Sequence, residues 1–97
     1  MVIIALDHVP QCFSARDGTA IAKILRRRLS QDGHATLSFA GVSDVPSSFV
    51  NAALVSLLDT YDFAWIKAHL SIIDASRQTA DIVRRCFDNA VQQLQVA

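Results

Sequence analysis

Positions 35–57 read ATLSFAGVSDVPSSFVNAALVSL. The first five residues alternate with a period of two and Gly41 follows them, which predicts a strand over Ala35–Phe39 that leaves a sheet at the glycine. Residues 41–48 are rich in turn and capping residues, and apolar residues at helical spacing come next: Phe49, Ala52, Ala53 and Leu57. The segment therefore predicts a strand, a polar turn and a helix capped by Ser47 or Ser48.

The residues before this segment predict another strand and another helix. Val2–Leu6 is apolar and unbroken, as in a short strand that is buried on both faces. Ser14 is the expected cap of a helix that ends at Asp32-Gly33 and buries Ile21, Ile24, Leu25 and Leu29. Its remaining circumference carries Lys23, Arg26, Arg27 and Arg28. Because consecutive helical residues point about 100° apart, these cations should spread around the helix as a solvated surface.

The residues after position 60 predict a third strand and a third helix. Hydrophobic and polar residues alternate over Trp65–Ile73, which indicates a strand at an edge or beside a solvated face. Ser76 is the expected cap of the last helix, with Thr79 at its third position. Arg84 and Arg85 should point outward, and the buried stripe comprises Ile82, Val83, Cys86, Phe87, Ala90, Val91 and Leu94. Such alternation of strands and helices favours an α/β fold with a mostly parallel sheet.

Composition predicts one soluble, cytoplasmic domain over residues 1–97. The chain is 52% hydrophobic and 19% charged, which excludes a disordered chain. Nine basic residues balance nine acidic ones, so no net charge attracts nucleic acid or an anionic membrane, and neither is an expected partner. The apolar start, Met1–Leu6, is too short for a signal peptide or a spanning helix.

The sequence favours neither a metal site nor a catalytic centre. His8, His34 and His69 lie in different segments, without a second ligand at helical spacing. Cys86 belongs to a hydrophobic stripe, and Cys12 precedes a helix N-terminus that could lower its pKa, yet no base is near it in sequence. An enzyme that uses Cys12 is therefore the least favoured alternative. The chain has three glycines and no phosphate-binding motif, so nucleotide binding is disfavoured.

A polar group of residues lies where the second predicted strand meets the second helix. Open α/β sheets place functional loops at the carboxyl ends of their strands. A phosphate on a serine there would add roughly two negative charges beside free backbone N–H groups, or would repel an acidic partner. Helix capping by Ser47 and Ser48 is the simpler role, and the two roles are compatible. The predicted partner-binding residues are Ser43, Asp44, Ser47, Ser48 and Asn51.

Residues 37–57 resemble the STAS fold, the sulfate-transporter and anti-sigma-factor-antagonist domain. The chain is more similar to the STAS-like family of uncharacterised function, in which a strand ends in phenylalanine and a glycine-containing turn leads to a serine and a phenylalanine that open a helix. Here these residues are Phe39, Gly41-Val42, Ser48 and Phe49. Ser14-Ala15-Arg16 with Gly18 also resembles the start of that family's first helix, and the resemblance covers about residues 13–90.

The resemblance implies a mixed, mostly parallel sheet of three or four strands, about three helices packed on one face, no cofactor, and protein binding as the activity. In anti-sigma-factor antagonists, an Asp-Ser-Ser-Gly-like stretch carries the serine that a partner kinase phosphorylates. Ser48 falls at that serine's place and Ser47 is adjacent, whereas Pro46 replaces the aspartate and Phe49 the glycine. The implied partner is a protein, such as a histidine-kinase-like ATPase or kinase.

A second interpretation belongs to a different class of function. Small proteins of phages and mobile elements can act as structural or inhibitory modules, either by self-association or by joining a larger complex. The predicted strand Trp65–Ile73 could pair with its own copy across a two-fold axis, which would give a homodimer.

Overall fold

The computed structural model describes residues 2–96, and the side chains of residues 2–93. These residues form three strands, five α-helices and one 3₁₀ helix. In chain order the elements are β1 (Val2–Ile4), α1 (Ala5–His8), α2 (Ala15–Asp32), β2 (Ala35–Ser38), α3 (Ser47–Ala53), the 3₁₀ helix (Val55–Asp59), α4 (Phe63–His69), β3 (Leu70–Ile73) and α5 (Arg77–Val96).

The three strands form one parallel sheet in the order β1-β2-β3. The prediction of an α/β fold with a mostly parallel sheet is therefore confirmed. β2 is central, and its register places Leu37 opposite Ile3 on one side and opposite Ile72 on the other. The polar segment that follows β2 consequently leaves the middle of the sheet, at the carboxyl ends of the strands.

Helices cover one face of this sheet. Ile3 and Leu37 are buried on that face, in the same core as Leu25 of α2, Phe49 of α3 and Phe87 of α5. The opposite face exposes Val2 and Ile4 of β1 and Ser71 of β3. The expectation that the first strand is buried on both faces was wrong, because only one of its faces has helices against it. That strand also ends at Ile4, where α1 begins, and does not continue to Leu6.

α2 begins and ends where the sequence predicts. The Ser14 hydroxyl accepts a hydrogen bond from the backbone N–H of Asp17 (3.3 Å), and Gly33 ends the helix with a φ of 77°. Gly18 lies in the first turn, where α2 crosses α3 closely. A Cβ added to it would lie 2.5 Å from the carbonyl oxygen of Phe49, so glycine is required here by the packing of the two helices.

The largest difference between the predicted and the observed secondary structure concerns residues 63–73. Only Leu70–Ile73 is a strand, and Phe63–His69 is the helix α4. The side chain of Asp62 caps α4, since it accepts a hydrogen bond from the N–H of Trp65 (2.7 Å). β3 does lie at an edge of the sheet, as expected for the predicted strand.

The last helix is close to its prediction. The Ser76 hydroxyl accepts from the N–H of Thr79 (3.1 Å), and Arg84 and Arg85 are exposed. Val83, Cys86 and Phe87 are buried and Ile82, Ala90 and Val91 are partly buried, whereas the side chain of Leu94 lies outside the described residues. None of the helices in residues 2–96 is both long and apolar enough to cross a bilayer.

Candidate protein-docking site

The segment between β2 and α3 begins with a tight turn. The N–H of Val42 donates to the carbonyl oxygen of Phe39 (2.9 Å), and Gly41 within the turn has a φ of 82°, a conformation that favours glycine. The rings of Phe39 and Phe49 then pack edge to face, with 6.4 Å between their centroids. The end of the central strand and the start of α3 are thereby joined through one aromatic contact.

Four polar side chains are exposed along this segment, and we call them the polar corner: Ser43, Asp44, Ser47 and Ser48. The apolar residues between and after them point inward, because Val45 is only 2% exposed and Phe49 is fully buried. Burial of these anchors fixes the path of the backbone, so the polar corner is a defined surface of the fold.

A hydrogen bond from Ser76, the residue just before α5, supports the polar corner. The Ser76 hydroxyl donates to the carbonyl oxygen of Ser43 (2.7 Å) and accepts from the N–H of Thr79 (3.1 Å). Thr79 is itself fully buried. The residue that caps α5 therefore also ties the polar corner to that helix.

Two further polar side chains, Ser38 and Asp74, lie at the carboxyl ends of β2 and β3. The Ser38 hydroxyl donates to Asp74 Oδ2 (2.7 Å) and accepts from the N–H of Ala40 (3.1 Å). Asp74 adopts a positive φ of 58°, which aspartate tolerates better than most residues. This pair links the ends of two neighbouring strands, and sequence reasoning missed it. The period-two pattern of β2 places Ser38 on the polar side of the strand, so the sequence carried no signal of its burial.

The capping role predicted for Ser47 and Ser48 is wrong. Pro46 occupies the cap position of α3 and makes no side-chain cap hydrogen bond, so the two serines are the first two residues of the helix. Pro46 therefore immediately precedes the helix, and Ser47 and Ser48 are both exposed. Backbone N–H groups at these positions have no acceptor within a helix, which leaves them available to an external group.

A cleft of about 370 Å³ lies beside the polar corner, between α3 and α5. Ser47 and Asn51, two of the predicted site residues, line it, whereas Ser43, Asp44 and Ser48 do not. We call it the amide cleft; it is lined by Ser47, Asn51, Val55, Cys86, Asn89, Ala90 and Gln93. Amide side chains both donate and accept hydrogen bonds, so this lining matches the backbone and polar side chains of a peptide. Sequence reasoning missed Asn89 and Gln93, although their four-residue spacing places them on one side of a helix.

Residues 17–80 match the model of the STAS-like domain of unknown function (DUF4325). The chain belongs to this family. The matched region runs from the first turn of α2 to the first turn of α5 and contains the whole polar corner. STAS domains are generally regulatory and protein-interaction modules, typically without catalytic activity. No curated protein and no solved structure was found to match the chain.

The thiols of this STAS-like domain are poor nucleophiles. Burial raises the pKa of the Cys12 thiol, and the Asp17 carboxylate raises it further. The nearby helix N-terminus suggested a lowered pKa for Cys12. That expectation was wrong, because Cys12 is only 4% exposed. Burial also raises the pKa of Cys86, against a smaller opposing effect of Arg85. Both thiols stay protonated near neutral pH, which is the unreactive form.

The three histidines do not come together in one site. His8 and His34 are exposed, and the ring of His69 lies within hydrogen-bonding distance of the carbonyl oxygen of Trp65 (Nδ1 to O, 2.7 Å). Within residues 2–96, no group of three or more His, Cys, Asp and Glu side chains is arranged to hold a metal ion.

Proposed function

We propose that this STAS-like domain is a non-catalytic regulatory module that binds a partner protein through the polar corner and the adjoining amide cleft. One observation carries the proposal. Exposed polar side chains alternate with buried anchors over residues 43–49, so the surface is both hydrophilic and fixed in position. A preformed surface costs less conformational entropy on binding than a mobile loop does.

The resemblance to anti-sigma-factor antagonists suggests a class of partner. By analogy with anti-sigma-factor antagonists, we propose a histidine-kinase-like ATPase or kinase. The position of the surface, after the central strand of a parallel sheet, agrees with the usual place of functional loops in such folds.

Serine phosphorylation is the proposed switch. Ser47 and Ser48 are exposed and begin α3, where a phosphate would lie near backbone N–H groups and would add charge beside Asp44. Ser47 also lines the amide cleft, so a phosphate on it would occupy part of the surface that a partner needs. Phosphorylation should therefore weaken binding.

The test is a binding measurement between the full chain and an ATPase or kinase encoded next to it in the genome. Changing Asp44 and Ser48 together (D44A/S48A) should weaken binding by at least roughly tenfold if each loses one interfacial hydrogen bond. The control is S30A/D59A, which removes an exposed serine and an exposed aspartate elsewhere. Unchanged binding of D44A/S48A, or an equal loss in the control, would contradict this docking surface.

A specific observation favours a second function, self-association through β3. This strand is at the edge of the sheet, and a groove of about 300 Å³ runs beside it. The groove is lined mainly by apolar side chains: Phe63, Ile66, Leu70, Ile72, Ala75, Ala80, Val83 and Phe87, with Lys67 and Arg84. An unpaired strand edge beside an apolar groove suits the addition of another strand. In this alternative the protein is a structural or inhibitory module of a phage or mobile element.

Light scattering separates the two functions. Self-association predicts a mass of twice 10.6 kDa at micromolar concentration. Ser71→Lys, at an exposed position of β3, should restore the monomer because lysine on an edge strand opposes pairing. A monomer at every concentration would remove this alternative and leave the docking function unaffected.

A further inference from the structure

A second cleft, of about 420 Å³, lies between α1 and α2 on residues that take no part in the docking site. We call it the basic cleft; it is lined by His8, Lys23, Ile24, Arg27, Arg28 and Gln31. Three of these side chains are basic, Lys23, Arg27 and Arg28, and no carboxylate is among the lining residues. The chain as a whole carries no net charge, so the excess of positive charge is local to this surface.

Three of the four cations of α2 lie closer together than the sequence suggested, because they line one cleft. Arg26 points away from the cleft, since its guanidinium donates to the hydroxyl of Thr60 and to the carbonyl oxygen of Ser56 (2.6 Å). Lys23 and Arg27, in contrast, follow each other at a spacing of four residues and line the same cleft. These four cations were expected to spread around the helix as a solvated surface. Arg26 does lie apart, but the other three line one cleft.

Two of the three cations in the cleft, Lys23 and Arg27, have no carboxylate paired with them among the described side chains. The third, Arg28, pairs with Asp32 (3.2 Å). Like charges four residues apart repel each other and destabilise a helix. An anion held between them would remove that repulsion.

We propose that the basic cleft binds a multiply charged phosphate group. Guanidinium groups match the oxygen geometry of phosphate, and lysine supplies a further point charge. Ile24 gives the cleft an apolar wall and Gln31 a neutral hydrogen-bonding group, so an organic molecule attached to the phosphate would also find contacts. The volume is within the range of about 300–1,000 Å³ that is usual for small-molecule sites.

The test uses inorganic pyrophosphate at constant ionic strength, followed by the backbone amide NMR signals of the full chain. We expect saturable shifts confined to α1 and to residues 23–31. The variant K23Q/R27Q should weaken binding by at least roughly tenfold, because two charge-assisted hydrogen bonds are lost. The matched control R77Q/R85Q removes two exposed cations of α5 and should bind as the unchanged chain does.

Shifts that do not saturate, or an equal effect of both variants, would overturn the proposal, because they indicate general screening of charge. Adenosine diphosphate extends the test to the source of the phosphate. If adenosine diphosphate binds more tightly than pyrophosphate, the natural ligand is an organic phosphate. If the two bind equally, the ligand is the free phosphate ion. If an oligoglutamate peptide saturates the cleft while neither phosphate compound does, the cleft is a surface for an acidic protein and the proposal is wrong.

Discussion

Gly18 shows how a single hydrogen atom in place of a methyl group allows two helices to approach. An added Cβ would lie 2.5 Å from the carbonyl oxygen of Phe49 and 2.8 Å from the Cβ of Ala52, and neither atom belongs to a flexible side chain. Gly18→Ala should therefore destabilise the protein by about 2–3 kcal/mol, although alanine favours helices by about 1 kcal/mol over glycine. Urea unfolding followed by circular dichroism measures this.

Gly33 supplies the control for that substitution. Nothing lies within 4 Å of a Cβ added there, but its φ is 77°. Gly33→Ala should cost only about 1 kcal/mol, the cost of a left-handed alanine. If Gly18→Ala is no more destabilising than Gly33→Ala, the close approach of α2 and α3 is contradicted.

Ser76 has two tasks, since it caps α5 and holds the polar corner through the carbonyl oxygen of Ser43. Ser76→Ala should lower the free energy of unfolding by about 1 kcal/mol, as loss of a helix cap does. It should also speed amide hydrogen exchange at residues 42–48 more than elsewhere. Ser30→Ala, at an exposed position within α2, should change neither quantity. Exchange that stays unchanged at residues 42–48 would show that Ser76 does not support the polar corner.

Among the elements, α4 shows why periodicity alone misled. Positions Ile66 and Leu70 are inward-facing in both a strand with period two and a helix, so they cannot distinguish the two. The deciding features lie outside the alternation. Asp62 caps the helix, and the rings of Tyr61, Trp65 and His69 stack at four-residue spacing with centroid distances of 4.2 and 4.1 Å.

Asp62 therefore carries a prediction about α4. Asp62→Ala should cost about 1 kcal/mol of stability, because the N–H of Trp65 loses its acceptor. Asp62→Asn keeps a capping oxygen and should retain most of that stability. Asp59→Ala, at an exposed position of the 3₁₀ helix, is the neutral control. Equal stability of the alanine and asparagine variants would argue against the cap.

Only part of the candidate site could be predicted from the sequence. Its position after the central strand and the exposure of Ser43, Asp44 and Ser48 follow from local patterns of turn and capping residues. The contributions of Asn89 and Gln93 do not, because they come from α5, about 40 residues later in the chain. Local spacing predicts which side of a helix a residue occupies, but not which other helix it meets.

At the scale of the whole molecule, the sheet is covered on one face only. Parallel sheets usually have helices on both faces. Here Val2 is 45% exposed, Ile4 36% and Ile73 39%, and all three lie on the face opposite Ile3 and Leu37. The hydrophobic contribution to stability should therefore come almost entirely from the covered face.

Two neighbouring positions of β1 test this asymmetry with the same starting residue. Ile3 is 3% exposed, and Ile3→Ala should cost about 2–4 kcal/mol because it removes buried volume from the core. Ile4→Thr replaces a side chain on the open face with another β-branched one and should change stability by less than about 0.5 kcal/mol. Thermal and urea unfolding of both variants measure the difference. A cost at Ile4 that approaches the cost at Ile3 would mean that the open face is covered in solution, and the oligomeric state measured by light scattering would then show whether a second copy covers it.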